Sequence, residues 1–434
     1  MRVLIAGAAG YLGGHLVQAA LDAGHDVTAF VRTSATKRPA SAKTAIGDLN
    51  DTSALETALT GIDAVVFSAG RNWQPGLAID EYSRQNVSIT ESFFRALGNA
   101  NPHARVVFTS SMSAVAGSED PIAFDEETGR NAVAETRLNA YDRSKIECER
   151  LARTARERGS NVVILNPGLM LGPGAHPETK VTTTFLVHWH CLKKNPAIVA
   201  QGGHSFCDVR DVARAHIVAL TSGDGQYILG GANLSNLDFQ RALSDQTGLG
   251  IPHQIPPIVP VFASAAMDAA SLATFGFWKN PIHREFTRSL PLYYWANASR
   301  AARELAYKSR PLATTLRDTI AGFIDNRTLP ESFRYVAAIN DENRLAMLLM
   351  RELASRHLHR SQLMPKLSKI LEACRQNGTL NRALEAALAA GTYDTDAGQF
   401  RWTAGRPAAS LMTLNNLLDY CYYASDDFRA RMMT

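Results

Sequence analysis

Short apolar runs alternate with longer amphipathic segments through the first 167 residues of the chain. The runs predict strands at 3–5, 26–31, 64–67, 105–109 and 161–165, and the segments predict helices at 11–23, 83–97 and 141–158. Strand followed by helix, repeated, builds βαβ units and a parallel sheet with helices on both faces. The pattern therefore predicts an α/β fold, a Rossmann doubly wound parallel sheet, whose ligands bind at the carboxyl ends of the strands.

Beyond Gly168 the alternation gives way to glycine and proline clusters, which indicates a small substrate subdomain. Within it, residues 258–277 are apolar apart from Asp268. A membrane span needs about 20 apolar residues without a charge, so we expect a buried helix that lines the substrate site.

From residue 331 to residue 434, leucines such as Leu345, Leu349 and Leu353 recur at helical spacing. They predict an all-helical C-terminal extension with apolar faces to bury. We expect the extension to support oligomerisation or to brace the fold, with a substrate lid or a partner-docking module as the alternatives.

The composition narrows the class of partner. The 45 basic and 41 acidic residues give a net charge of +4, which is too small to predict binding to nucleic acid or to an anionic membrane. The cysteines are scattered and form no CxxC pair, which is typical of a reducing compartment. The chain does not begin with a basic segment followed by a long apolar one, so we expect no signal peptide. We therefore predict a cytoplasmic protein with no integral membrane segment. His176, His188 and His190 have no carboxylate at ligand spacing, so we expect no metal site.

Glycines punctuate the turn between the first predicted strand and the first predicted helix. Their spacing is GxxGxxG, rather than the GxGxxG of the standard dinucleotide fingerprint. Glycine allows a tight turn and a close approach of the backbone to a pyrophosphate, and the start of the helix offers unpaired N–H groups to phosphate oxygens. We therefore expect Gly7, Gly10, Tyr11, Leu12 and Gly13 to bind a dinucleotide.

The residue that follows the second predicted strand distinguishes the two nicotinamide cofactors. Enzymes that use NAD place Asp or Glu there to bind the ribose, whereas this chain has Arg32. A guanidinium can pair with the 2′-phosphate of NADP, and Lys37 lies nearby in the sequence. The sequence favours NADP, with NAD as the alternative.

Tyr141 and Lys145 form a YxxxK pair at the start of a predicted helix. Residues four apart lie on one helix face. The pKa of a free tyrosine is about 10, and a neighbouring ammonium together with an oxidised nicotinamide lowers it, so that the phenol becomes a usable general acid or base. The strand at 105–109 runs into Ser110 and Ser111, either of which can bond a substrate oxygen beside the tyrosine.

Together these motifs resemble the extended short-chain dehydrogenase/reductase family over residues 1–325. Further matches are Gly47-Asp48-Leu49, Phe67 to Gly70, Asn86, Glu149, and the segments 208–215 and 297–307. The resemblance implies that Asp48 meets the adenine and that Lys145 also holds the nicotinamide ribose. The cofactor-binding residues that it adds to the glycine loop and Arg32 are Asp48, Leu49, Ser68, Ala69, Gly70, Asn86, Thr109, Tyr141, Lys145, Pro167 and Leu169.

Departures from the sugar-nucleotide enzymes refine this resemblance. Asn166-Pro167 stands where most nucleotide-sugar epimerases and dehydratases have Arg-Pro, and Ala116 stands where the epimerases have the Tyr of VYG. The chain is more similar to the dihydroflavonol-reductase, cinnamoyl-CoA-reductase and 3β-hydroxysteroid-dehydrogenase branches. Because the serine strand is one residue longer before Val115 than in the epimerases, as in dihydroflavonol reductases, Ser111 is the predicted catalytic serine, with Ser110 as the alternative.

We predict an NADPH-dependent oxidoreductase that reduces a ketone or aldehyde, or oxidises the alcohol, of a non-sugar, fairly apolar substrate through Ser111, Tyr141 and Lys145. A nucleotide-sugar epimerase or dehydratase with bound NAD is one alternative. A non-catalytic NADP-binding redox sensor is another, against which Tyr141 and Lys145 argue. The chain would comprise a reductase domain at 1–330, with its cofactor core at 1–167 and its substrate subdomain at 168–330, and then the extension at 331–434. The expected partners are a small-molecule substrate and a second copy of the chain in a homodimer.

Overall fold

The computed structural model describes residues 1–33, 41–72, 79–129, 137–174, 187–188, 191, 198–247, 253–256, 258–273, 287, 289–329, 391–394 and 399–402. The chain divides into two compact units. One comprises Met1–Thr184, Val199–Leu237 and Gln254–Thr315, and the other comprises Phe185–Ile198, Asp238–His253 and Leu316–Thr434. The boundary predicted at residue 330 stays a prediction, because few residues beyond it are described.

The described strands and helices follow one another as the sequence pattern predicts, with additions. The strands are β1 (Arg2–Ala6), β2 (Asp26–Val31), β3 (Lys43–Ile46), β4 (Ala64–Phe67), β5 (Arg105–Thr109), β6 (Ala123–Phe124), β7 (Val162–Pro167), β8 (Leu169–Leu171), β9 (Ile198–Ala200), β10 (Gly203–Asp208), β11 (Gly225–Leu229), β12 (Ala232–Ser235), β13 (His253–Ile255), β14 (Tyr293–Ala296), β15 (Gly391–Asp394) and β16 (Gln399–Trp402). The α-helices are α1 (Tyr11–Asp22), α2 (Thr52–Leu59), α3 (Ile79–Tyr82), α4 (Ser88–Ala100), α5 (Ala140–Glu157), α6 (Val209–Ala219), α7 (Asn236–Thr247), α8 (Ile258–Ala273), α9 (Ser299–Glu304) and α10 (Leu312–Asp325). A π-helical turn, Ser83–Val87, joins α3 to α4, and a 3-10 turn, Met112–Ala114, follows β5.

Seven of the described strands form one sheet in the first unit. Its order is β11-β7-β5-β4-β1-β2-β3, and every neighbouring pair runs parallel. The chain leaves the central strand β1 in one direction for β2 and β3, and returns to build β4, β5, β7 and β11 on the other side. This reversal is the doubly wound arrangement that the sequence predicts, and ligands bind where the strand order reverses.

Helices cover both faces of this sheet. Alternate side chains of the central strands, such as Leu4, Val65 and Val106, share one buried cluster with α2, α4 and α5. The intervening residues point to the opposite face because successive strand residues alternate, and α1 and α6 pack together there. Strands buried on both faces explain why the predicted runs are almost continuously apolar.

A smaller sheet lies in the same unit. Its order is β12-β10-β14-β6, and β8 also pairs with β10. Gly168 separates β7 of the large sheet from β8 of the small one, and a Cβ there would lie 2.4 Å from the carbonyl oxygen of Ser205. A glycine is therefore needed where the chain passes from one sheet to the other.

Two predictions about the later residues need correction. The predicted buried helix is present as α8, but Ile258, Val259 and Phe262 are exposed, Phe262 by 67%. An apolar run does not specify how many of its faces are covered. Within the extension predicted to be all-helical, β15 and β16 pair antiparallel, because their alternating aromatic and polar residues favour strands. The leucines at 345–353 lie outside the described residues.

No helix in the described part of the chain is long and apolar enough to cross a membrane.

Candidate active site

The glycine turn between β1 and α1 is closely packed against the end of β4. Gly10 N donates to the carbonyl oxygen of Gly7 at 2.9 Å, and Gly7 has a φ of +89°. A Cβ on Gly7 would lie 2.6 Å from the carbonyl oxygen of Ser68, and a Cβ on Gly13 would lie 2.0 Å from that of Gly7. Backbone packing therefore excludes a side chain at both positions.

The amino terminus of α1 suits an anion. Its N-cap, Gly10, is exposed and gives no side-chain hydrogen bond to the first N–H groups of the helix. Tyr11 and Leu12 are buried, and the Tyr11 hydroxyl has no hydrogen-bond partner among the described residues. A helix start without a side-chain cap, beside tightly packed glycines, fits a dinucleotide pyrophosphate.

Arg32 and Asp48 lie just beyond the carboxyl ends of β2 and β3 in the large sheet. Arg32 is exposed directly after β2, and Asp48 is exposed two residues after the neighbouring strand β3. Asp48 accepts hydrogen bonds from the backbone N–H of Asn50 (2.8 Å) and from its side-chain amide (3.0 Å). Leu49 packs against the core. Lys37 lies outside the described residues. Among the described residues, Arg32 supplies a positive charge at the end of β2.

Asn86 holds the loop that follows β4. Its side-chain oxygen accepts a hydrogen bond from Arg71 N (2.6 Å), and its amide donates to Arg71 O (3.2 Å) and to Ser144 Oγ (3.1 Å). Ser68 and Ala69 are half-buried, and Gly70 is exposed and has a φ of +154°. The Asn86 side chain is thus committed to protein groups, and it joins the loop to α5.

Thr109, the last residue of β5, joins α5 to α6. Its carbonyl oxygen accepts a hydrogen bond from Lys145 Nζ (3.3 Å), and its hydroxyl lies 2.9 Å from His216 Nε2. His216 Nδ1 lies 2.8 Å from the carbonyl oxygen of Val212, so Nδ1 carries the proton and Nε2 accepts from Thr109. Burial lowers the pKa of His216 to about 4, which keeps the ring neutral.

The two serines after β5 have different partners. Ser110 is buried and its hydroxyl donates to Glu149 Oε2 at 2.7 Å. Ser111 accepts a hydrogen bond from Ser113 N at 3.2 Å, and its hydroxyl lies close enough to the Tyr141 phenol to lower the pKa of that group. Ser111 is therefore the serine that the structure brings to the tyrosine, while Ser110 points into the core.

Tyr141 lies in the first turn of α5, which begins with a capping box. The side chain of Asn139 accepts from Asp142 N (3.0 Å), and the carboxylate of Asp142 accepts from Asn139 N (3.2 Å). Asp142 also accepts a hydrogen bond from the Tyr294 hydroxyl (3.2 Å). Burial raises the pKa of Asp142 to about 6. The Tyr141 ring meets that of Tyr82 edge-on, with centroids 6.0 Å apart.

Burial favours the neutral forms of both Tyr141 and Lys145. It raises the pKa of Tyr141, and the neighbouring Ser111 hydroxyl opposes that rise. It also lowers the pKa of Lys145, against the field of Cys148 and Glu149. A protonated phenol beside a serine hydroxyl can donate a proton to an oxygen that gains negative charge.

Pro167 and Leu169 flank Gly168 at the end of β7. Pro167 is buried and pairs in register with Leu229, whereas Leu169 is half-buried and begins β8. Parallel strands carry their carboxyl ends to one edge, so these residues share an edge with the glycine loop and the serines.

The segment at 208–215 supports the fold through ion pairs. Asp208 is buried, caps α6, and pairs with Arg210 Nη2 at 2.7 Å. Asp211 is buried and bonds Arg214 (2.8 Å) and the backbone N–H of Arg310 (2.7 Å). These carboxylates are neutralised by arginines and are not offered to a substrate.

Several residues at this edge have roles that motif matching misses. His216 contacts Thr109, Asn166 contacts the backbone of Ser111, and Asp142 caps the helix that carries Tyr141. The sequence motifs assign none of these three a role in the site. Asn139-x-x-Asp142 has the spacing of a capping box, which could have been read from the sequence. The partner of His216 could not, because 107 residues separate it from Thr109.

Comparison with known proteins agrees with this geometry. The model of the NAD dependent epimerase/dehydratase family matches residues 3–230. A putative dihydroflavonol 4-reductase of Synechocystis sp. is 30% identical over 334 residues, which cover 74% of this chain and 93% of that protein. Cinnamoyl-CoA reductase 1 of Arabidopsis thaliana is 29% identical over 247 residues, which cover 52% of this chain and 69% of that protein.

A solved structure shares the fold. The UDP-glucose 4-epimerase of Thermus thermophilus, in complex with NAD, aligns with a TM-score of 0.58 at 20% identity, over 75% of this chain and 99% of that one. Since the family match spans more than half of its residues, this chain belongs to the NAD-dependent epimerase/dehydratase family and is an enzyme of the extended short-chain dehydrogenase/reductase type.

Proposed function

We propose that this enzyme uses NADPH to reduce a ketone or aldehyde, or NADP to oxidise the corresponding alcohol, on a fairly apolar, non-sugar substrate. The observation that carries the proposal is that the Ser111 hydroxyl lies beside the Tyr141 phenol, whereas the Ser110 hydroxyl is bonded to Glu149 in the core. Lys145 follows one turn later on the same helix. These groups lie at the edge of the sheet that also carries the glycine loop.

The bound dinucleotide supplies the hydride to the carbonyl carbon. In the direction of reduction, Ser111 donates a hydrogen bond to the carbonyl oxygen, and Tyr141 donates its proton to that oxygen as negative charge develops. Burial raises the pKa of Tyr141, so the phenol keeps its proton until then. Lys145 stabilises the phenolate that remains, which regains a proton from solvent. The carbon gains a hydride and the oxygen a proton, and the product is the alcohol.

Arg32 supports the preference for NADPH over NADH. It is exposed at the end of β2, where enzymes that use NAD have a carboxylate. A carboxylate would repel a 2′-phosphate, whereas a guanidinium binds it through charge-assisted hydrogen bonds.

Asn166 and the names of two relatives support a non-sugar substrate. A dihydroflavonol 4-reductase and a cinnamoyl-CoA reductase are named for reducing compounds other than nucleotide sugars. Asn166, where most sugar-nucleotide enzymes have arginine, is an uncharged amide and is fully buried, so it offers no charge to a sugar diphosphate.

We also propose that the enzyme works in the cytoplasm. Cys148, Cys191 and Cys207 are buried free thiols, as is usual in a reducing compartment. Fractionation of cells that express the full chain would test this location.

The proposed function is tested by following NADPH oxidation with a panel of ketones and aldehydes, and by following the conversion of nucleotide sugars directly, because an epimerase or dehydratase regenerates its bound NAD and oxidises no NADPH. We expect turnover with non-sugar carbonyl compounds and none with nucleotide sugars. Turnover confined to nucleotide sugars, with tightly retained NAD, would overturn the proposal in favour of an epimerase or dehydratase.

A further inference from the structure

Four polar side chains meet inside the fold beneath Ser111. They are Ser110 after β5, Asn166 on β7, Gln226 on β11 and Glu149 on α5, and each is at most 5% exposed. Strands buried on both faces normally carry apolar side chains at such positions. A polar cluster in this place destabilises the fold unless every group has a partner.

Glu149 is the acceptor at the centre of this cluster. It accepts hydrogen bonds from Ser110 Oγ (2.7 Å), Asn166 Nδ2 (2.6 Å) and Gln226 Nε2 (3.0 Å). Arg153, one turn later on α5, donates two more, from Nε (3.2 Å) and Nη2 (2.6 Å). A side chain that accepts hydrogen bonds from four residues and donates none is paired as a carboxylate should be.

Asn166 connects this cluster to Ser111. Its amide nitrogen donates to the backbone carbonyl of Ser111 (2.9 Å) as well as to Glu149. Its side-chain oxygen accepts from Gln226 Nε2 (2.8 Å). Because two acceptors face the nitrogen and a donor faces the oxygen, the amide has one orientation in which all of its bonds form. The serine segment is thus held at the Ser110 hydroxyl and at the Ser111 carbonyl.

Glu149 lies on the helix that also carries the proton donor. Tyr141, Lys145 and Glu149 are spaced four apart on α5, so they lie along one side of the helix. The same helix therefore holds the tyrosine and the anchor of the serine segment. A shift of α5 would move both together, and the contact between Ser111 and Tyr141 would persist.

We propose that Glu149 and Asn166 are positioning residues, which keep the Ser111 hydroxyl beside Tyr141 and the substrate carbonyl. They act through Ser111 and do not touch the reacting atoms. The inference rests on the proposed function, since it requires Ser111 and Tyr141 to act on a carbonyl oxygen. A cluster that only stabilised the fold could be replaced by apolar side chains without loss, whereas this one is bonded to the backbone of Ser111.

Glu149→Gln tests the proposal in the full-length enzyme. The amide presents an NH₂ group to four donors, so the bonds to Ser110 and Asn166 cannot all survive. We expect kcat to fall about 10- to 100-fold, because a small misplacement of a catalytic group has that effect, while the dissociation constant for NADPH stays unchanged. Glu147→Gln is the matched control, since Glu147 lies on the same helix but pairs with Arg150 at the surface. It should leave kcat unchanged.

A double-mutant cycle with Ser111→Ala distinguishes positioning from general stabilisation. If Glu149 acts through Ser111, then Glu149→Gln costs little more once the hydroxyl is gone, and the two effects are non-additive. Fully additive losses of kcat, or an unchanged kcat in Glu149→Gln, would overturn the proposal.

Asn166→Leu is the second variant, because it removes the bond to Ser111 and leaves Glu149 with its other three donors. We expect it to lower kcat as Glu149→Gln does. If neither variant folds, the cluster is structural and the proposal is wrong.

Tyr141→Phe distinguishes a failure of the proposed function from a failure of the positioning role. If Tyr141→Phe retains turnover, the proposed function itself fails, whereas normal kcat in the Glu149 and Asn166 variants alone overturns only the positioning role.

Discussion

The amino group of Lys145 donates a hydrogen bond to the carbonyl oxygen of Thr109, across 3.3 Å. The side chain of Thr109 bonds His216 on α6, so the end of β5 is tied to a helix on each face of the sheet. The Ser110-Ser111 segment leaves the strand from this point. These contacts hold the lysine beside the serines, so the geometry of the site depends on the end of β5.

Tyr141→Phe should lower turnover about 10²- to 10⁴-fold, which is the usual contribution of general acid–base catalysis. The ring and its edge-on contact with Tyr82 remain, so NADPH should still bind. Steady-state kinetics on the best carbonyl substrate, with a cofactor titration, measures both effects. Tyr227→Phe is the control, since that hydroxyl bonds Glu304 away from the site, and its turnover should match the wild type. Near-normal turnover in Tyr141→Phe would remove the phenol from the mechanism.

Arg32→Ala should erase most of the preference for NADPH over NADH. A charge-assisted contact with a phosphate contributes about 1.5–3 kcal/mol, and alanine cannot make it. Titration of both nucleotides against both proteins gives the four dissociation constants. Arg2→Ala provides the control, because Arg2 lies at the amino end of β1, away from the carboxyl ends of the strands, and pairs with Asp63. Equal affinities for the two nucleotides in the wild type would contradict the prediction.

Gly13→Ala should abolish cofactor binding and lower the stability of the fold by about 1–3 kcal/mol, as overpacking does. Its Cβ would lie 2.0 Å from the carbonyl oxygen of Gly7, which cannot move without displacing β1. In contrast, a Cβ on the adjacent Gly14 would meet nothing within 4 Å. Gly14→Ala should stabilise the helix by up to about 1 kcal/mol. Thermal unfolding and NADPH titration compare the two variants, and equal behaviour would refute the packing argument.

Asp142→Asn should flatten the dependence of stability on pH in the weakly acidic range. Burial raises the pKa of Asp142 from 3.8 to about 6 in the folded protein. Between these values the folded state binds more protons than the unfolded chain, so the free energy of unfolding decreases as the pH rises through this range. The variant lacks this ionisation and should lose that slope, which urea unfolding at several pH values measures.

Asp125→Asn is the control, because the pKa of Asp125 is shifted in the opposite direction to that of Asp142. Hydrogen bonds from Thr128 lower the pKa of Asp125, so its contribution to stability is lost as the pH falls below its ordinary range. If wild type and Asp142→Asn show parallel pH dependence, burial of Asp142 has no effect on folding.

A chain that ends after Leu329 should still bind NADPH but change its assembly state, its stability or its affinity for substrate. All of the predicted cofactor and catalytic residues precede that point, and Leu329 itself is buried. The predicted apolar helical faces of the extension need a surface to cover. Light scattering and cofactor titration compare this chain with the full-length protein. Unchanged assembly, stability and turnover would identify the extension as an independent docking module.

Local patterns in the sequence were sufficient to predict much of the large sheet. The bounds of β2, β4 and β5 agree with the predicted strands, and α1 and α5 begin within one residue of the predicted helices. These elements are long or strongly apolar, and their periodicity depends only on neighbouring residues. β3 and α2 were missed because both are short and neither has a continuous apolar run. The glycine spacing and the YxxxK pair are local as well, which is why they identified the family.

Contacts between distant residues were decided by the tertiary structure. Ser110 and Glu149 are 39 residues apart in the chain, and Asn166 and Gln226 are 60 apart. Their pairing depends on the order of β5, β7 and β11 in the sheet, and no spacing in the sequence encodes that order. The exposure of Phe262 on α8 likewise depends on which surfaces pack against the helix. Periodicity within an element is a property of its own residues, whereas partners and burial are properties of the whole fold, because they follow from which surfaces the chain brings together.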